Sequence, residues 1–144
     1  MRTIEQERAK YALKCIDEVK KMARENPKIE EKYSSYVKKS PALILTNGLG
    51  STLAFYRSKI GKEDDEKKPE KLAYKLLYDH INDWVSGKEY DKVNFTKGQD
   101  LLEWITKTAS SLEVFQTTQE VIRLLTWMSK FAKAELKEES GGGE

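Results

Sequence analysis

A chain of 144 residues with 26 Lys plus Arg against 24 Asp plus Glu has room for one hydrophobic core and not comfortably for two. Its net charge of +2 excludes a polycation that coats nucleic acid indiscriminately, so any anion site has to be a local patch. The single cysteine, Cys15, excludes an internal disulfide or a paired-thiol metal knuckle and fits a reducing cytoplasm, and the charged first 25 residues lack the apolar run of a signal peptide.

Thr3 with Gln6 reads as a capping box that opens a first helix, with Ile4, Ala12, Cys15, Ile16, Val19, Met22 and Ala23 on one face and Asn26-Pro27 as its end. Cys15 is expected as a small core residue. Arg8 falls in the middle of the apolar arc, where a charge has to pair, snorkel or meet a partner; pairing to a carboxylate at the end of the core is expected. Lys10, Lys14 and Lys21 have Glu7 and Asp17 among them and read as an ordinary solvated face.

Ile29, Tyr33, Tyr36 and Val37 predict a short second helix over residues 29–39, with Ser40 as cap and Pro41 in the first turn of a new one. Residues 41–56 carry no charge, but Thr46, Asn47, Gly48, Gly50, Ser51 and Thr52 interrupt them too often for a membrane span. They predict a central helix buried nearly all round. Asn47-Gly48 is also a strong hairpin signal, yet a lone hairpin in a helical chain leaves its edges unpaired, so helix is the expectation. Arg57 and Lys59 close this helix, where the macrodipole favours cations that reach outward.

Residues 61–68, GKEDDEKK, read as a solvated loop without the spaced oxygen ligands of a calcium site. Pro69 opens a fourth helix that packs Leu76, Leu77, Ile81, Trp84 and Val85 inward and closes at Gly87. His80, the only histidine, lies on the margin of that face and is expected as a packed side chain. A connector over residues 88–95 leads to a second capping box, Thr96 with Gln99, which starts a fifth helix through Leu101, Leu102, Trp104, Ile105 and Ala109. Ser110-Ser111 breaks the pattern before the longest helical stretch, from Leu112 to Lys137, and residues 140–144 form an expected flexible tail. The whole predicts an all-α, single-domain bundle of about six helices over residues 1–139.

In the last helix Phe115, Thr118, Val121, Ile122, Leu125, Met128, Phe131, Ala132 and Leu136 fall on one broad arc that requires a core. Arg123, Lys130, Lys133 and Lys137 fall on a separate arc about 80° wide, shared with Gln119 and Thr126 and free of carboxylates. That face suits an anion; the plainer alternative is a solubilising surface. Lys38, Lys39, Arg57 and Lys59 extend the patch if the helices fold antiparallel. Trp127 borders the stripe, where it either stacks on a base or, as expected, packs on the core.

Chemistry for catalysis is missing. His80 has no Ser or Cys helical neighbour for a triad, Asn47-Gly48-Leu49-Gly50 lacks the Lys-Ser/Thr ending of a phosphate loop, and no Arg precedes His80 in residues 69–82 as helical RNA-cleaving domains require. A binding or scaffolding module without catalytic residues, metal or cofactor is therefore expected, not an enzyme.

Four segments occur in a familiar order and spacing: Glu7-Arg8-Ala9; residues 33–41 followed by Ala42-Leu43-Ile44-Leu45-Thr46-Asn47-Gly48-Leu49; Leu53-Ala54-Phe55 with Ser58-Lys59; and Trp127-Met128-Ser129-Lys130-Phe131-Ala132-Lys133-Ala134. From Ile4 to Glu135 the chain closely resembles the small all-helical subunit of the type III-B CRISPR effector, the Cmr complex. The resemblance implies a non-catalytic cytoplasmic protein of antiviral defence, away from membranes. It implies several copies stacked head to tail beside guide RNA paired to target RNA, with cleavage left to other subunits. A subunit of that kind contacts phosphates, because base pairing already supplies specificity. On this reading the RNA-binding candidates are Arg123, Lys130, Lys133, Lys137, Arg57, Lys59, Lys38 and Lys39. A helical adaptor that binds only proteins is the alternative.

Overall fold

Capping chemistry decides where the first and last helices start. In the computed structural model, which describes residues 1–62 and 68–138, the Thr3 hydroxyl accepts the Gln6 amide at 3.1 Å and the Gln6 side chain accepts the Thr3 amide at 2.9 Å, opening α1, Ile4–Met22. Ser110 and Glu113 make the same reciprocal pair at the head of α6, Ser111–Glu135. Between them run α2 (Ile29–Asn47), α3 (Leu49–Ile60), α4 (Pro69–Val85) and the short α5 (Leu101–Lys107). Among the described residues there is no strand, and the helices close around one core as a single all-α domain. The expected acidic loop falls largely on residues 63–67 and the expected tail on residues 139–144, which lie outside the described residues.

Three boundaries differ from expectation. Ser40-Pro41 starts no helix: α2 runs straight through Pro41, although an interior proline removes a helical donor at a cost of about 3 kcal/mol. Tyr33, Val37 and Ile44, buried on both sides of Pro41, supply the packing that outweighs this. The Ser40 hydroxyl donates to the Tyr36 carbonyl at 2.6 Å and meets the Tyr56 hydroxyl of α3. The break falls instead at Gly48, whose φ of 90° suits a residue without a side chain. The expected single helix over residues 41–56 is therefore parts of two, folded back on each other, and it is not buried all round: Leu45 is 74% exposed. The Asn47-Gly48 turn signal was sound, but it joins helices instead of strands. Thr96 and Gln99 do bond each other (2.8 Å), yet α5 starts later, with Asp100 as cap accepting the Glu103 amide at 3.1 Å.

Polar groups inside the core are matched to one another. Arg8 is 6% and Glu120 3% exposed, and the guanidinium donates twice to the carboxylate, at 2.6 and 2.8 Å. Trp84 Nε1 donates to the same carboxylate at 2.8 Å. Further along, Lys20 pairs with Glu135, so α1 and α6 run side by side in the same direction. His80 is buried as expected: Glu18 lies 3.2 Å from Nε2 and the Tyr33 hydroxyl 2.6 Å from Nδ1. The hydrogen bond to His80 holds the Glu18 carboxyl below its ordinary range, against the opposing effect of burial. Cys15 is likewise in the core, and burial pushes its thiol up to about 12, which leaves it unreactive.

Replacing Glu120 by Leu leaves Arg8 buried without a counter-charge and is expected to cost about 3–5 kcal/mol in a urea titration. Adding Arg8→Met to Glu120→Leu should recover most of that loss. Losses that simply add would show that the two side chains do not act as a unit.

Candidate nucleic-acid interface

Glu120 has to face the core to meet Arg8 and Trp84, and this sets the rotation of α6. The buried residues Thr117, Glu120, Val121, Leu124, Leu125, Met128 and Ala132 span about 140° of the helix. Phe115, expected in the core, is carried outward and is 60% exposed. It joins Gln119, Arg123, Thr126, Lys130 and Lys133, all exposed, within an arc of about 80°. Among the described residues Arg123, Lys130 and Lys133 form no ion pair. Trp127 is half-buried against the core, stacked on Phe131 with ring centroids 5.6 Å apart, and the Lys130 ammonium lies 5.7 Å from its ring centre.

Lys137 is not on this rod. Leu136 terminates α6 with extended backbone, and the Lys137 amide donates to the Glu30 carboxylate of α2 at 3.0 Å. The expected stripe of four on one helix is thus three, with Lys137 placed just past its end. At that end α2 contributes Lys38, whose ammonium is pushed down by burial and by the charge of Lys133, while Glu138 pairs with it. Lys39 is exposed beside it.

Arg57 and Lys59 are placed elsewhere. Arg57 donates to Asp100 at 2.5 Å and to the Tyr78 hydroxyl at 2.8 Å, and Tyr78 in turn donates to Asp100 at 2.7 Å. Its charge ties α3 to α4 and to the cap of α5. Lys59 sits 5.4 Å from the Phe55 ring centre.

Two depressions were not visible in the linear pattern. One, of about 500 Å³, lies between α2, α3 and α4 and is lined by Tyr36, Lys39, Asn47, Phe55, Tyr56 and Tyr74, with Tyr36 and Tyr74 stacked at 3.8 Å. Its aromatics come from three helices, so no sequence period reveals them. The other, of about 330 Å³, lies between α1, the 88–95 connector and α6, with Lys92, Phe115 and Arg123 among its walls. Phe115 at i, i+4 and i+8 spacing with Gln119 and Arg123 was the available signal. Among the described residues no three His, Cys, Asp or Glu side chains gather to hold a metal ion, and no helix is long and apolar enough to cross a membrane. A family model described as CRISPR-associated protein (Cas_Cmr5) matches residues 4–135, from the first residue of α1 to the last of α6.

The Asp100 junction carries a pH signature. Burial alone raises its carboxyl, but the Tyr78 hydroxyl, the Glu103 amide and the Arg57 guanidinium outweigh this and hold it below the ordinary 3.8. A depressed folded value stabilises the fold above pH 3.8 and loses that contribution as pH falls through the lowered value. Asp100→Asn is therefore expected to flatten the acid limb of a melting-temperature profile below about pH 4. A profile of unchanged steepness would place the acid sensitivity elsewhere.

Proposed function

Because the chain belongs to the CRISPR-associated Cmr5 family of type III-B systems, and so is a subunit of the Cmr complex, we propose that it is a non-catalytic, RNA-tracking subunit. It stacks in several copies along guide RNA paired to target RNA and contacts the backbone through basic residues, in cytoplasmic antiviral defence. The observation that carries this reading is the solvent face of α6, where Arg123, Lys130 and Lys133 are exposed and unpaired among the described residues. Arg123 and Lys130 are separated by about 10 Å along the axis, and phosphate contacts of this kind position a protein without reading sequence. Lys137 extends the face at its far end, whereas Arg57 is already neutralised by Asp100 and Lys38 by Glu138.

A non-catalytic role is supported by the placement of the two groups best suited to chemistry. His80 is enclosed by Tyr33 and Glu18, and Cys15 is buried with a raised thiol. Stacking in one direction requires two different surfaces on each copy. Among the described residues, exposed apolar side chains available for this are Leu45 on α2, Phe55 on α3 and Leu112 at the head of α6. The aromatic depression on α2, α3 and α4 favours a second reading, an adaptor that holds only proteins.

Titration of RNA binding against salt separates the two readings. Each phosphate contact contributes roughly 0.7–0.9 to the slope of log affinity on log salt. Lys130→Glu with Lys133→Glu should therefore lower the slope by about 1.4–1.8 while circular dichroism keeps its helical signal. An unchanged slope removes α6 from the interface. Assembly with the other subunits that persists without any retained RNA supports the adaptor.

A further inference from the structure

Phe115 is 60% exposed at a hollow whose lining also includes Lys92 and Arg123. It forms a wall of the 330 Å³ hollow, with Lys92 and Arg123 on the rim and Gln116 and Gln119 beside it. That volume lies at the small end of ligand sites, about 300–1,000 Å³. The floor is electrically closed, because the Glu120 carboxylate already accepts two hydrogen bonds from Arg8 and one from Trp84. Among the residues that line the hollow, no unpaired carboxylate opposes an anion. Lys92 and Arg123 form no ion pair among the described residues, and both glutamine amides are exposed.

The three surfaces specify the occupant. Phe115 offers a flat π face, the amides offer donors and acceptors to a polar edge, and the two cations offer a seat for negative charge. One unpaired nucleotide presents all three features together. A protein partner fits less well: it would have to cover Lys92, a residue type in which protein interfaces are depleted, and leave two glutamine amides to be matched. Phe115, Gln119 and Arg123 follow one another at about 6 Å per step along α6, so a strand leaving the hollow at Arg123 runs directly onto Lys130 and Lys133.

We propose that this hollow is a nucleotide subsite in which one unpaired RNA base stacks on Phe115 while its phosphate lies against Arg123 and Lys92. This subsite rests on the RNA-tracking reading and adds to it a position where the base itself is held. The predicted contact is sequence-tolerant, since every base has a π face.

The test uses the full chain with two RNA probes, a short single strand carrying 2-aminopurine at one internal position and a fully paired duplex. Wild type should change the 2-aminopurine emission on binding. Phe115→Leu, exposed and therefore not needed for folding, should abolish that change and weaken single-strand binding about 5- to 100-fold. It should leave the salt slope and duplex affinity within twofold of wild type, and Phe115→Trp should restore the signal. Single-strand binding and emission that are unaffected by Phe115→Leu overturn the subsite, and the backbone reading then stands or falls on the slope of the Lys130 and Lys133 variant. No RNA binding by wild type at low salt removes both. Loss of association between copies or with other subunits in Phe115→Leu, with RNA binding intact, assigns the hollow to protein and overturns the nucleotide.

Discussion

The pairing of Arg8 with Glu120 organises this molecule. The two residues are 112 positions apart in the chain, and their bidentate contact locks the first and last helices together in parallel. Dehydrating both ions is costly, and their mutual attraction with the added bond from Trp84 offsets that cost without making the pair a large source of stability. Its consequence is geometric. A carboxylate at the tenth residue of α6 can reach Arg8 only if the helix turns Glu120, Leu124 and Thr117 inward, and a helix rotates as one body.

Everything on the far side of α6 follows from that rotation. Phe115 leaves the core, Gln119 and Arg123 line up behind it, and Lys130 and Lys133 continue the row. In a chain whose net charge is only +2, the cations differ in what they are already bonded to. Arg57 is committed to Asp100 and Tyr78, and Lys20 to Glu135. Arg123, Lys130 and Lys133, by contrast, are exposed and form no ion pair among the described residues. This is the feature that joins membership of the Cmr5 family to the proposal of backbone contact.

The second constraint is Gly48. A positive φ at one residue folds α3 back on α2, so that Tyr56 meets Ser40 and Tyr36 comes to stack on Tyr74 of α4. The helix hairpin also explains why a proline is tolerated in α2. With Tyr33 and Val37 on one side of it and Ile44 on the other buried in the core, packing keeps α2 continuous through Pro41.

Much of this was legible before any fold. The all-α class, the Thr3 box, the inward faces of α1 and α4, the buried His80 and Cys15, the charge segregation along α6 and the likeness to the Cmr small subunit are all properties of spacing. Spacing is local, and so are helix periodicity and capping. The Ser110-x-x-Glu113 box is equally local, and it caps α6 as well as breaking the chain before it. What only the tertiary structure decided involved distant partners: that Arg8 takes Glu120, that Pro41 is overridden while Gly48 breaks the chain, and that Arg57 is bonded while Arg123 is left open. A helical pattern specifies which residues share a face but not how far that face is turned, because the angle is set by the neighbour it packs against. For α6 that neighbour lies at the other end of the chain.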